Sequence, residues 1–219
     1  MAEKESEWIF PENLKKQEER ERKEVENGIF NGGGDFGSYY AYLKGINYDF
    51  IKPHGMTNDR IGLEYANHIS TILDKVKLKM EGNIIDVGCG IGTITNAISQ
   101  LNKNGTTHGL DISEDSIEVA REKYPGISFY SQSAEKLDNF PDEYFDVIHA
   151  REFYPFTRTN DKNYHLKYLK LFHSKLKPRG FVVLQMCALD KGFCNTYKKI
   201  SKEFRILRGR IMGKCQAII

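Results

Sequence analysis

From about residue 57 onward the chain alternates two hydrophobic patterns. Short, mostly apolar runs occur at Asn83–Val87, Thr106–Ile112, Ile127–Ser131, Phe145–Ala150 and Phe181–Gln185. Between them lie longer segments in which apolar residues recur every three or four positions, as in Ile91, Ile94, Ile98 and Leu101. The first kind predicts buried strands and the second predicts amphipathic helices. A further helix is expected over residues 57–79, with Ile61, Tyr65, His68, Ile69 and Ile72 on or near one face and His68 as a packed or half-exposed residue instead of a ligand. Strands in regular alternation with helices predict a parallel sheet covered on both faces. At 219 residues and about 25 kDa, one domain with a substantial core is the natural count.

The pattern fails before residue 57. Residues 1–27 hold nine acids and six bases, with Trp8, Ile9, Phe10, Leu14 and Val25 as the sizeable apolar groups, and read as a charged arm. Residues 28–56 are rich in glycine (Gly32, Gly33, Gly34) and tyrosine (Tyr39, Tyr40, Tyr42, Tyr48). The arm's charges are not followed by the apolar core of a signal peptide, and no run approaches the ~18 apolar residues of a membrane span. The four cysteines, Cys89, Cys187, Cys194 and Cys215, form no CxxC pair and no zinc spacing, which fits a reduced, cytoplasmic setting without a metal.

The candidate chemistry is concentrated where the first strand meets the first of the alternating helices. Asp86 stands near the strand's end, and glycines follow at 88, 90 and 92 before the helical pattern begins. Glycines there let the backbone turn tightly and let a ligand lie directly against the main chain. The dinucleotide pattern places its third glycine at the sixth position, which here is Thr93. The second strand ends at Asp111, nineteen positions beyond Gly92, where a carboxylate accepts hydrogen bonds from ribose hydroxyls in Rossmann-like halves. Ser113, followed by Glu114 and Asp115, has the character of a helix cap.

The leading acid with glycines at 88, 90 and 92 resembles motif I of the class I S-adenosylmethionine (SAM) methyltransferases. The landmarks at Asp111, Gln132–Leu137, Phe140–Ala150 and Leu176–Gln185 follow in that family's order. The resemblance implies a Rossmann-like, seven-stranded, mostly parallel sheet with helices on both faces and a reversed last strand. Phe204–Arg210 and Lys214–Ile219 would be the final two strands, the chain stopping just where the seventh should finish. It also implies SAM as cofactor and S-adenosylhomocysteine (SAH) as product. The implied cofactor residues are Asp86, Gly88, Cys89, Gly90, Asp111, Ile112, Ser133, Ala134, Glu135 and Ala150. The family usually places an Asp-Ala pair against the adenine; here Ser133 stands at the acid's place, leaving Ser133 or Glu135 to make that contact. The domain layout expected is a charged arm over 1–27, a lid or substrate-side segment over 28–56, and a SAM-binding domain over 57–219.

Charge adds a second theme. Residues 83–150 hold four Lys/Arg against eleven Asp/Glu, whereas residues 151–219 hold sixteen against four. The asymmetry points either to an anionic partner or to a solvated lysine surface. Ligands of open α/β sheets bind at the carboxyl ends of the strands, which nominates Arg151 and Tyr154 for the acceptor, with Lys191, Arg208 and Arg210 nearby, while the segment 28–56, as a lid, adds Tyr39 and Tyr48. Tyr40, His54 and Glu152 are candidates for a general base if the acceptor is a hydroxyl. The Pro-Pro-aromatic motif of amino-methylating nucleic-acid enzymes and the Pro-Cys nucleophile of cytosine-C5 enzymes are absent; Ala150–Tyr154 reads Ala-Arg-Glu-Phe-Tyr. The expectation is a metal-free methyltransferase acting on a small, anionic acceptor, oxygen ahead of nitrogen. An RNA or protein methyltransferase and a non-catalytic SAM-binding partner subunit are the rival readings.

Overall fold

A computed structural model describes residues 19–24, 27, 36–48, 58–157, 161–185, 207–211 and 214–218. Residues 19–24 are helical (α1), and Phe36–Gly45 forms α2. The alternating region follows as α3 (Asp59–Lys75), β1 (Asn83–Val87), α4 (Thr93–Leu101), β2 (Thr106–Asp111), α5 (Glu114–Lys123) and β3 (Ser128–Ser131). After a 3-10 helix at Ala134–Asn139 come β4 (Phe145–Arg151), the short α6 (Tyr154–Thr157), α7 (Lys162–Lys175) and β5 (Leu176–Gln185). Two further strands are Leu207–Ile211 (β6) and Lys214–Ile218 (β7). Their order in the sheet is β3-β2-β1-β4-β5-β7-β6. Strands β1 to β5 run parallel, and β7 pairs antiparallel with both β5 and β6.

This is the Rossmann-like arrangement expected, a parallel sheet with helices against it. Strand order reverses on either side of β1, so β1 and β4 sit at the centre with their carboxyl ends at one edge. Their apolar residues divide between two cores. Ile85, Val87, Ile148 and Ala150 pack with Phe156, Tyr168 and Phe172 from the α6–α7 side. Ile84, Val147 and Val183 pack with Tyr65, Ile69, Leu73 and Ile98 from α3 and α4. Alternate residues of a strand face opposite ways, so each strand feeds both layers.

Some boundaries differ from expectation. The helix expected over 57–79 spans Asp59–Lys75, begun by Asn58, whose side chain accepts the Arg60 N–H. Asp59 receives Lys123 and the Tyr124 hydroxyl, tying α3 to the end of α5. Gly62 lets α3 approach α4 closely, since a Cβ there would lie 2.9 Å from the Thr93 carbonyl oxygen. Arg151 closes β4 instead of following it. His68 is half-buried, as expected of a packed helix residue.

The basic character of residues 151–219 is partly consumed inside the fold. Lys167 pairs with Glu135 at 2.6 Å, Lys175 with Asp142 at 2.7 Å and Lys177 with Asp146 at 2.7 Å. Each lysine comes from the basic segment and each acid from the acidic one, so α7 and the start of β5 balance the face they pack on. These pairs account for three charges that sequence composition could equally have assigned to an anionic partner.

His108 lies on β2 among the rings of Tyr130, Phe140, Tyr144 and Phe145. It is buried, neither ring nitrogen has a hydrogen-bond partner, and burial holds its pKa below the ordinary value. A histidine kept neutral in the fold but free to protonate when unfolded stabilises the native state fully above the unfolded pKa of about 6.5. That contribution is lost as pH falls from there toward the lowered folded value. Urea unfolding at pH 7.5 and 5.5 should therefore show a drop in stability that shrinks in His108→Phe, with His68 unchanged in both proteins. Equal drops in the two proteins would remove His108 as the cause.

Candidate functional site

The turn after β1 is built from three left-handed glycines, Gly88 (φ 75°), Gly90 (φ 53°) and Gly92 (φ 77°). Non-glycine residues reach that region only at a cost, which explains their spacing. Gly92 has a second reason: a Cβ there would sit 2.7 Å from the ring of Phe129. At Gly90 the reason is different. A Cβ would meet nothing within 4 Å, because that side of the backbone faces an open cleft.

The loop is held in place by β2. The amides of Gly88 and Cys89 donate to the Leu110 carbonyl at 2.7 and 3.0 Å. The Gly90 amide donates to Asp111 Oδ2 at 2.9 Å, and the Ser113 amide donates to Asp111 Oδ1 at 2.8 Å. Burial pushes the Asp111 pKa up, helped by the nearby Asp86, and the backbone amides of Ser113, Gly90 and Ile112 oppose that push without cancelling it. Each oxygen retains a second acceptor position. Cys89 is a free thiol whose pKa burial raises well above its ordinary value, so it is no thiolate nucleophile.

The cleft lies at the carboxyl edge of β1, β2 and β4. Of the residues nominated from sequence, Asp86, Gly88, Cys89, Gly90, Asp111, Ile112, Ser133 and Ala134 line one part of it. Arg151, Glu152, Tyr154 and Tyr40 line the rest, Tyr40 arriving from α2 with its ring 5.6 Å from that of Tyr154. Ser133 also caps the 3-10 helix, its hydroxyl accepting the Glu135 amide.

Four nominations go elsewhere. Glu135 turns away to Lys167 on α7, drawn by an opposite charge at 2.6 Å. Ala150 faces the core beneath β4. Tyr39 is wholly buried beside Tyr42 and Tyr154, one helical position away from the cleft-facing Tyr40. Tyr48 donates to Glu21 of α1 at 3.1 Å, and burial followed by repulsion from Tyr154 and Glu21 drives its pKa upward. His54 and Lys191 lie outside the described residues, and Arg208 and Arg210 fall on β6.

Other lining residues carried no signal in the sequence. Phe153 and Tyr168 meet edge to face at 5.3 Å along the cleft. Beneath it, His149 lies beside Asp86 because β1 and β4 pair Asp86 with His149 in register. Residues 63 positions apart declare no such neighbourhood until the strand order is known. Among the described residues no cluster of His, Cys, Asp and Glu has the makings of a metal site. None of the described helices is long and apolar enough to cross a membrane.

A glycine cradle with open space above it, a buried carboxylate at each of two adjacent strand ends and a partly aromatic wall suit a nucleoside bearing a cationic tail. One acid offers acceptor positions suited to ribose hydroxyls, and the other is a carboxylate suited to positive charge. Replacing Asp111 with Ala removes an anchor of the loop as well as an acceptor. Isothermal calorimetry should then show SAM and SAH binding weakened by roughly 10- to 100-fold or more, the scale of losing hydrogen bonds to a charged group. Unchanged affinity would remove Asp111 from the binding site.

Comparison with known proteins agrees with this chemistry. Residues 78–217, more than half the chain, match the family model described as methyltransferase domain. The chain is 30% identical over 142 residues to the demethylmenaquinone methyltransferase of Chlorobaculum parvum, covering 61% of this chain and 52% of that protein. It is 33% identical over 81 residues to the mitochondrial ubiquinone biosynthesis O-methyltransferase of Saccharomyces cerevisiae, covering 37% and 25%. The chain spans about half or less of the length of such curated relatives. Among solved structures it resembles PH0226 from Pyrococcus horikoshii OT3, with a TM-score of 0.54 at 18% identity over 71% of this chain and 89% of that one. It also resembles the plantazolicin methyltransferase BpumL in complex with SAH, with a TM-score of 0.56 at 13% identity over 90% and 81%. At such identities the structural likeness speaks for the fold. Motif, cleft and family match converge, and the chain belongs to the class I SAM-dependent methyltransferases.

Proposed function

We propose that this protein transfers the methyl group of SAM to a hydroxyl of a small acceptor that also carries an anionic group. SAM supplies an activated methyl on a sulfonium, so the protein's task is to align the acceptor and exclude water. Asp86, Asp111 and the glycine loop would hold the cofactor, with Ile112, Ser133 and Ala134 beside the nucleoside.

The observation that carries the acceptor reading is the wall opposite the loop. Arg151 and Glu152 stand side by side there, 8% and 5% exposed, flanked by the rings of Tyr40 and Tyr154. Glu152 has φ 49°, a conformation costing a non-glycine residue about 1–3 kcal/mol, and such strain is concentrated at functional sites. Its amide donates to the Gln185 carbonyl at 2.8 Å, which fixes the residue where β4 ends. In this reading Glu152 accepts the acceptor's hydroxyl proton and Arg151 receives its anionic group. Tyr40 lines the cleft from α2, which supports reading residues 28–56 as a lid beside a catalytic domain over 57–219.

Names of the relatives support a small acceptor, a demethylmenaquinone methyltransferase and an aklanonic acid methyltransferase among them, and the ubiquinone biosynthesis O-methyltransferase supports oxygen. The internal pairing of Lys167, Lys175 and Lys177 weakens the case for RNA, since those charges already have partners. The intact glycine loop and Asp111 weigh against a non-catalytic subunit. A cytoplasmic location accompanies this reading.

Radiolabelled methyl transfer from SAM to a panel of hydroxylated carboxylates, phosphates and quinone-like phenols tests it. Glu152→Gln should lower kcat by roughly 100-fold or more, the scale of a general base, while SAH affinity stays within about twofold. Arg151→Ala should raise KM for the anionic acceptors. Transfer to RNA or protein alone, or tight SAM binding with no transfer to anything, would overturn the proposal. Because its pKa is raised, Asp111 should lose its charge at a higher pH than an ordinary carboxylate, so SAH affinity should begin to weaken early on acidification.

A further inference from the structure

Behind the cleft floor Asp86 is backed by buried polar groups, Thr95, His149 and Tyr65, to which the proposed reaction gives no role. Asp86, 2% exposed, lines the cleft. Its Oδ2 accepts the Thr95 hydroxyl at 2.7 Å, and its Oδ1 lies 2.7 Å from His149 Nδ1. The other ring nitrogen of His149, Nε2, lies 2.8 Å from the Tyr65 hydroxyl. Both His149 and Tyr65 are 0% exposed. The Arg151 guanidinium sits over the Tyr65 ring, 5.6 Å from its centroid.

The two contacts suit one arrangement of protons, an ionised Asp86 beside a neutral His149. An ionised carboxylate only accepts, so Nδ1 of His149 carries the hydrogen toward Asp86. In the neutral imidazole Nε2 is then an acceptor, and the Tyr65 hydroxyl donates to it. The Tyr65 hydroxyl thereby selects the tautomer, and the tautomer donates to Asp86. With Thr95 on one oxygen and His149 on the other, the carboxylate cannot swing, and its free lone pairs are presented to the cleft. The same tyrosine ring lies beneath Arg151, so one side chain sets the posture of both opposite charges facing the ligands.

We infer that His149 and Tyr65 are positioning residues, which hold Asp86 as an oriented carboxylate toward the positive end of the bound cofactor. The inference rests on the reading of this cleft as the SAM site. Neither residue is placed against ligand: His149 acts through Asp86, and Tyr65 acts through His149 and the Arg151 above its ring.

Three variants with two readouts test this. Tyr65→Phe keeps the ring under Arg151 and removes only the hydroxyl. His149→Asn keeps an N–H at the Nδ1 place, and His149→Leu keeps bulk without any donor. Calorimetry with SAM should give a dissociation constant about tenfold or more weaker in His149→Leu, with His149→Asn recovering most of the loss and Tyr65→Phe intermediate. Long-range proton–nitrogen spectra of labelled protein should show His149 as the Nδ1–H tautomer in wild type, and as a mixture in Tyr65→Phe. A purely structural role would lower the melting temperature without this ordering of affinities or the change of tautomer. Equal SAM affinity in all four proteins, or an Nε2–H tautomer in wild type, would overturn the inference. Absence of SAM binding by folded wild type would instead overturn the assignment of the cleft.

Discussion

A carboxylate buried at the end of a strand is tolerable only if donors are built to meet it, and this fold has two of them side by side. Asp86 and Asp111 stand at the ends of adjacent parallel strands, largely removed from water. Asp111 is met by backbone amides from the glycine loop and the start of α5. Asp86 is met by side chains from α4 and β4. These donors fix where the loop runs, where two helices begin and which residue must stand beside β1 on β4. The cleft is the space left when these demands are satisfied.

Much of this was legible because it is local. The glycine spacing, the acid before it and the acid closing the next strand lie within a run of residues whose order dictates strand, turn, helix and strand. Periodicity placed α4 and β2 for the same reason. What escaped depends on contacts between distant segments. His149 reads as one more residue of a buried strand, and only the pairing of β1 with β4 turns it into a partner of Asp86. Tyr39 and Tyr40 are indistinguishable by composition, and the rotation of α2 alone sends one into the core and the other to the cleft. Glu135 looked free to serve a ligand until α7 brought Lys167 against it.

Charge composition was legible and misleading together. A net excess of base in one segment and of acid in another suggests an external partner of opposite sign. In the folded chain a portion of each excess is spent on the other across the contact between α7, β5 and the face beneath them. Surface pairs of this kind contribute little stability each, commonly under about 1 kcal/mol.

Phe129 lies on β3, in register with Gly109 of β2. Its ring occupies the volume that a side chain would need both at Gly92, in the loop, and at Gly109, on the neighbouring strand. The three positions are thus a single packing unit, although two of them look like independent backbone requirements. Over evolutionary time such a unit should change as one. A small residue in place of Phe129 would remove the tightest obstacle to a side chain at 109 and leave Cys89 Sγ, 3.0 Å from that Cβ, as the next. The glycine pattern by which this loop is recognised is therefore partly a record of an aromatic residue on another strand.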